Sequence, residues 1–276
     1  MPNLNEIERI RFPAGERHVK VSDDFIQKVK NCNGITANLK SSDDILDLML
    51  VTDVLSYRMA KPENLYIPYL PYGRQDRNTT NSQPFSLNVF ANLLNSLKYK
   101  FILTTEVHSD VTPALINNLV VQNADIYLQE FINTVTDTED RILLAPDQGG
   151  SKRVDRFNEF LVKKGCLGFQ EIGQALKHRN PQTGRVEVKF VSENVRNKNI
   201  IIYDDIIDGA SSFISLAEFL IKNNYNFKSL SIFAAHGIFS KGIDVLAKYY
   251  KNIGTTNSFY NGNDPRVKVY QINYNL

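Results

Sequence analysis

Apolar residues fall into two alternating patterns along the chain. Short runs rich in β-branched and aromatic residues recur at 65–68, 101–105, 142–145, 200–203, 230–234 and 267–272. Such runs read as strands. Between them lie stretches where apolar residues return at helical spacing, at 43–59, 86–97, 152–164, 212–223 and 243–251. In 43–59 the expected inward face is Ile45, Leu48, Met49, Thr52, Leu55 and Met59, and Ser41 with Asp44 is spaced as a capping box. Alternation of strands and helices predicts an α/β protein with parallel sheets and crossover helices. Two polar stretches, 78–84 and 178–185, read as turns or loops, the second as a mobile one holding Asn180, Pro181, Thr183 and Gly184.

Composition narrows the picture modestly. With 276 residues and 42% hydrophobic content, the chain can bury a sizeable core in one large or two small domains. Lysine and arginine number 32 against 30 aspartates and glutamates, so nothing in the balance favours nucleic acid. Two cysteines, Cys32 and Cys166, do not make a disulfide framework. The first residues are charged, and no run approaches the roughly 18 apolar residues of a membrane span. The expectation is a soluble cytoplasmic protein with no membrane partner.

In open parallel sheets, ligands gather beyond the carboxyl ends of strands. The run 200–203 leads into Asp204-Asp205, then Asp208-Gly209-Ala210-Ser211-Ser212 and a helix. Two acids can accept hydrogen bonds from two sugar hydroxyls, and a small-residue loop at a helix N-terminus suits a phosphate. The plainer reading is a solvated turn capped by Ser211 or Ser212. The run 142–145 leads to Asp147-Gln-Gly149-Gly150, an acid before glycines that let backbone approach a ligand, or else a tight turn. The run 101–105 leads to Glu106 and His108. These face the same way if the strand pattern continues, and suit a divalent cation or phosphates. After 65–68 come Arg74, Gln75 and Arg77, which offer planar donors to phosphate and an amide to a base edge, or a solvated loop. Lys177 and Arg179 can close over a phosphate chain or stay a solvated basic pair, and Phe12 can stack on a base or fill a core.

The segment from Asp204 to Ser212 resembles the ribose-5-phosphate loop of type I phosphoribosyltransferases. Further segments narrow the resemblance: Phe12-Pro-Ala-Gly-Glu16, Ile67-Pro-Tyr-Leu-Pro-Tyr-Gly-Arg-Gln-Asp-Arg77, Glu106-Val-His108, Ala145-Pro-Asp-Gln-Gly-Gly-Ser-Lys-Arg153, Lys177-His-Arg179 and His236-Gly-Ile-Phe-Ser240. In that order, and over most of the chain, they are similar to the ribose-phosphate pyrophosphokinase (PRPP synthetase) family. The resemblance implies two phosphoribosyltransferase-type α/β domains, 1–123 and 124–276. It implies a diphosphokinase that moves the β,γ-pyrophosphoryl group of ATP, with Mg²⁺, to the anomeric hydroxyl of a ribosyl phosphate and releases AMP. By the same resemblance, Phe12, Glu16, Arg74, Gln75 and His108 serve ATP, and His108, Asp147 and Glu106 the metal; the family commonly has aspartate where Glu106 stands. Asp204, Asp205, Asp208, Gly209, Ala210, Ser211 and Ser212 hold the ribosyl phosphate, and Lys177 and Arg179 are catalytic. A homo-oligomer, dimer or hexamer, follows too, with Phe12 touching adenine bound to a neighbouring subunit.

The acceptor expectation rests on the loop. The family usually has threonine, a small residue, glycine and threonine after the third acid, where this chain has Gly209, Ala210, Ser211 and Ser212. A lost hydroxyl at 209, and a side chain at 211 where glycine adopts unusual dihedrals, loosen the nest around the 5′ group. In this the chain resembles compact phage-borne relatives that pyrophosphorylate ADP-ribose in rebuilding NAD⁺. ADP-ribose is the expected acceptor and ribose 5-phosphate the alternative. Two other classes stay open: a phosphoribosyltransferase, which would not need Arg74, Gln75, Lys177 or Arg179, and a non-catalytic regulatory homologue, which would not need His108, Lys177 or Arg179.

Overall fold

The computed structural model describes residues 1–135, 140–179 and 186–274, the side chains of Arg179 and Val186 excepted. The chain divides into two compact units, Met1–Asn123 and Ala124–Leu276. No helix among the described residues is long and apolar enough to cross a membrane.

The first unit runs β1 (Glu8–Arg11), β2 (Arg17–Lys20), α1 (Asp23–Cys32), β3 (Gly34–Thr36), α2 (Ser42–Tyr57), β4 (Asn64–Ile67), α3 (Ser86–Ser96), β5 (Phe101–Thr105), α4 (Val111–Leu115) and β6 (Leu119–Gln122). Strands β3-β4-β5-β6 form a parallel sheet in that order. Ser41 caps α2 by accepting from the Asp44 N–H, while the Asp44 carboxylate accepts from the Lys40 N–H and the Ser41 hydroxyl. The carboxylate thus reaches one residue further back than in a standard capping box. The buried face of α2 is Ile45, Asp47, Leu48, Val51, Thr52 and Leu55. Met59, expected on it, is 90% exposed and lies past the helix end with φ 48.

Strands β1 and β2 form a separate antiparallel hairpin whose alternation is mostly polar. Its tip is closed by Phe12 N–H to Glu16 C=O at 2.9 Å and Gly15 N–H to Phe12 C=O at 2.8 Å. Gly15 sits at φ +102, which side chains rarely adopt. So little apolar surface cannot by itself hold a two-stranded ribbon in water. The hold comes from Asp47, fully buried on α2, which accepts from Arg9 Nε (2.7 Å), Arg17 Nε (3.1 Å) and Arg17 Nη2 (2.7 Å). Arg11 pairs with Asp43 one turn earlier.

The second unit runs α5 (Asp125–Val135), β7 (Arg141–Ala145), α6 (Gln148–Lys163), β8 (Ile172–Arg179), β9 (Val186–Val191), β10 (Asn199–Ile207), α7 (Ser211–Lys222), β11 (Ser229–Gly237), α8 (Asp244–Ala247), β12 (Asn252–Thr256) and β13 (Val267–Tyr270). Its sheet has the order β13-β12-β11-β10-β7-β8-β9 and is parallel except for the antiparallel edge strand β9. One face packs Leu143, Ile201, Tyr203 and Phe233 against α5 and α6, and the other packs Ile142, Ile200, Ile202 and Ile232 against α7. Burial on both faces is why these strands read as unbroken apolar runs. The architecture is the α/β class with parallel sheets flanked by helices that the alternation implied.

Three boundaries differ from expectation in ways that matter. Strand β10 runs on to Ile207, so Asp204 and Asp205 lie within it. Lys177, His178 and Arg179 belong to β8, paired with β9, rather than to a loop; residues 180–185 lie outside the described residues. The helix expected at 243–251 shrinks to Asp244–Ala247, because the chain must turn back within a few residues to enter β12.

Removing the Asp47 carboxylate leaves two arginines facing a buried gap. Asp47→Ala is therefore expected to cost about 3 kcal/mol. It should appear as a lower urea midpoint in the full chain, with the far-UV circular dichroism of the native state retained.

Candidate functional site

Strands β10, β7 and β8 are neighbours in the sheet, and their carboxyl ends bring together five charged residues. Asp147, directly after β7, caps α6: its Oδ1 accepts the Gly150 N–H at 2.7 Å. A Cβ on Gly150 would lie 2.9 Å from Pro146 Cδ, so the tight turn at the cap already requires that glycine. The other oxygen, Oδ2, lies 2.7 Å from Lys177 Nζ. Lys177 stands on β8 where the pairing with β9 slips by one residue, since Leu176 faces Phe190 and Lys177 faces Val188. A bulge of this kind re-aims the side chains beside it. Burial works to raise the Asp147 pKa, but Lys177, the Gly150 N–H and Arg153 outweigh it and hold the carboxyl below its ordinary value.

Arg153, one turn into α6 and 8% exposed, ties the next pair. Its Nη1 lies 2.9 Å from Asp204 Oδ1 and its Nη2 3.0 Å from Asp205 Oδ1, while its guanidinium stands over the Tyr203 ring at 5.9 Å. Neighbouring strand residues ordinarily point to opposite faces. The arginine fork overrides this by spanning both carboxylates. One turn further along α6, half-buried Arg156 grips Asp125 through Nε (3.1 Å) and Nη2 (3.0 Å) and also reaches the Tyr203 hydroxyl. Burial and the adjacent Asp205 charge raise the Asp204 pKa, Arg153 opposing them. Asp204 and Asp205 thus form a fixed acceptor pair at the strand end, suited to a vicinal diol.

Beyond β10, the loop turns on Ala210 with φ 59 and ψ 5, and Ala210 gives α7 no side-chain cap. Neither Ser211 nor Ser212 is the cap; Ser211 is the first helical residue. The left-handed position is therefore one residue earlier than the loop comparison assumed. Asp208 and Gly209 are half-buried, and Ser211 is exposed.

In the first unit, Arg74 and Gln75 are exposed on a turn after β4, closed by Gln75 N–H to Tyr72 C=O at 2.8 Å. A Cβ on Gly73 would lie 3.8 Å from His108 Cβ, so this turn and His108 are adjacent. Glu106 departs from expectation: its φ is 42, so strand alternation stops at Thr105. It is 3% exposed while His108 is exposed. The two do not present a common face, and among the described residues no three His, Cys, Asp or Glu gather as a metal cluster. Phe12 is 48% exposed at the hairpin tip, near the His18 ring at 5.8 Å, and Glu16 is exposed beside it. The Arg179 side chain lies outside the described residues.

Arg153, Arg156, Asp125 and Tyr203 were not singled out from the sequence. The one available signal was arginine at two positions three apart on a helix that begins at the Asp147 cap, which puts both guanidinia on one face.

A hydroxyl donates better to an ionised carboxylate, so binding a diol expels any proton held by Asp204. With its pKa raised, affinity for a sugar diol is expected to strengthen as pH climbs and to level off once Asp204 is ionised. The Kd of a sugar diol measured by calorimetry across pH should show this slope in the native protein and lose it in Asp204→Asn.

Comparison with known proteins identifies the family. Residues 2–97 match the family model described as the N-terminal domain of ribose phosphate pyrophosphokinase. The ribose-phosphate pyrophosphokinase of Mycoplasmopsis pulmonis is 30% identical over 223 residues, which cover 80% of this chain and 67% of that protein. The enzyme of the same name from Pyrococcus abyssi is 29% identical over 263 residues, 93% of this chain and 85% of that protein. The crystal structure of phosphoribosylpyrophosphate synthetase from Mycobacterium smegmatis shares the fold at a TM-score of 0.74, with 20% identity, over 96% of this chain and 85% of that one. With its two α/β units, its Asp204–Asp205 strand end and these relatives, the chain belongs to the ribose-phosphate pyrophosphokinase family and is an enzyme of that diphosphotransferase type.

Proposed function

We propose that this enzyme transfers the β,γ-pyrophosphoryl group of ATP to the 1-hydroxyl of ribose 5-phosphate. The observation that carries the proposal is the Asp147–Lys177 pair standing beside two carboxylates that one buried arginine fixes. An acceptor for a diol and a cation for a phosphate chain are what such a transfer asks of a protein. The 1-hydroxyl oxygen bonds to the β-phosphorus in line and loses its proton to solvent, and the bond from that phosphorus to the AMP oxygen breaks. Little covalent help is needed; positioning and charge stabilisation do the work. Asp204 and Asp205 hold the ribose hydroxyls, and the 208–212 loop holds the 5′-phosphate. Lys177 offsets charge that builds on the transferring group. Arg179 is assigned beside it by family resemblance. In the first unit, exposed Arg74, Gln75 and His108 serve the nucleotide, and Phe12 with Glu16 offers a projecting adenine contact, used by a neighbouring subunit of a homo-oligomer.

Mg²⁺ fits part of the donor set. Asp147 is a carboxylate held ionised, and each of its oxygens keeps a lone pair beyond the contacts described. It suits a hard cation that takes its other ligands from phosphates and water. His108 is an exposed side chain in the first unit, and Glu106, buried, is the weaker candidate. Bound Mg²⁺ neutralises phosphate charge. The chain's own contribution is the Asp147–Lys177 pair, which would hold a carboxylate for the cation and an ammonium for the phosphate chain side by side.

Ribose 5-phosphate replaces ADP-ribose as the preferred acceptor. The relatives reported above carry the former's name. The argument for a looser loop assumed unusual dihedrals at Ser211, whereas the left-handed residue is Ala210 and Ser211 is the first residue of the helix. ADP-ribose stays the rival to test. AMP release should show kcat/KM for ribose 5-phosphate above that for ADP-ribose by about tenfold or more. The reverse order would return ADP-ribose to first place, and release with neither sugar would point to a non-catalytic homologue.

Lys177→Ala is expected to lower kcat by about a hundredfold while leaving both KM values within about threefold, because a contact made in the transition state alone raises the barrier without weakening binding. Unchanged kcat would remove Lys177 from the mechanism.

A further inference from the structure

The chain leaving β11 folds back over the end of β10. Ile238 N–H and Phe239 N–H both donate to Ile207 C=O, at 2.7 and 3.1 Å. Phe239, buried with φ 51, sets its ring edge-on to Tyr260 at 5.2 Å and anchors the turn. Gly242 N–H closes the turn on Phe239 C=O at 2.8 Å, and Gly242 itself takes φ +78. These contacts fix residues 238–242 against the 208–212 loop. Ser240 and Lys241 ride on top. A Cβ built on Gly209 would lie 3.6 Å from Lys241 Cε, 3.8 Å from Lys241 Cδ and 3.8 Å from Ser240 Oγ. Gly209 therefore leaves the space along which the lysine stem lies. Lys241 is exposed and makes no ion pair among the described residues.

We propose that Lys241 is a specificity-determining residue that supplies a cation to the terminal phosphate monoester of the acceptor sugar. The proposal rests on the acceptor reading above, in which the 208–212 loop receives the 5′-phosphate. The loop's own donors there are neutral: backbone N–H groups and the Ser211 and Ser212 hydroxyls. A monoester carries up to two negative charges, and neutral donors alone discriminate weakly between it and an ester of lower charge. An ammonium is a compact point charge that favours the dianion. It is brought in by a different strand, so the loop itself need not carry it. Ser240 Oγ, on the same turn, is a neutral donor that stays in place when the lysine is changed.

The test compares native enzyme with Lys241→Ala and Lys241→Arg. Ribose 5-phosphate KM and ATP KM are read by AMP release, and inorganic phosphate Kd by calorimetry. In Lys241→Ala the ribose 5-phosphate KM should rise by about tenfold or more with ATP KM unchanged, and inorganic phosphate should weaken to match. Lys241→Arg should recover most of both, since the charge is kept. An unchanged ribose 5-phosphate KM and phosphate Kd in Lys241→Ala would overturn the assignment and leave the acceptor reading standing. A rise in ATP KM of the same size would also overturn it, by showing a general disturbance. If native enzyme does not turn over ribose 5-phosphate, the acceptor reading fails by itself. Lys241 is then judged on inorganic phosphate alone: a tenfold weaker Kd in Lys241→Ala supports it, and an equal Kd overturns it.

Discussion

Arg153 spans two carboxylates that strand geometry would point apart, and much of the second unit's chemistry depends on that bridge. Asp204 and Asp205 stand side by side near the end of β10, where two buried negative charges repel. Burial and the Asp205 charge raise the Asp204 pKa even with Arg153 opposing them, so the guanidinium offsets part of the repulsion. Arginine suits the task because its planar fork offers two separated donors and cannot lose its proton. Its position is set in turn by the Asp147 cap, which starts α6 at a defined point one turn before Arg153. One carboxylate thus orders the helix, the helix presents the guanidinium, and the guanidinium orders the acceptor pair.

The same economy recurs at Asp147. Its two oxygens face different tasks, one as helix cap and one as partner to Lys177. The contact keeps the Lys177 ammonium at the strand ends, close enough to act on Asp204. In the first unit Asp47 plays a structural counterpart, holding a polar hairpin to α2 so that an aromatic side chain can stand out at its tip.

Departures from expectation share a cause. Asp204 and Asp205 read as the start of a loop because acids usually end apolar strands, yet pairing with β11 carries β10 on to Ile207. His178 and Arg179 read as part of a loop because the residues after them are turn formers, yet β9 pairs with them. Glu106 read as facing with His108 because two-residue spacing implies one face, yet a left-handed residue ended the alternation. In each case a hydrogen-bonding partner or a backbone turn distant in sequence, or invisible in composition, overrode a sound local rule.

What the sequence alone determined is the layout of elements and the chemistry at strand ends. Unbroken runs such as Ile200-Ile-Ile-Tyr203 read as strands buried on both faces, and Asp147 before Gly149-Gly150 reads as an acid at a strand end, either near a ligand or in a tight turn. The ordered segments from Phe12 to Ser240 carried the family. What only the tertiary structure decided is which charges meet. Arg153 touches Asp204 and Asp205 across 51 residues, and Lys241 lies over Gly209. Such contacts depend on sheet order and on the register of neighbouring strands. Neither leaves a local pattern, because pairing energy comes from backbone groups that every residue carries alike.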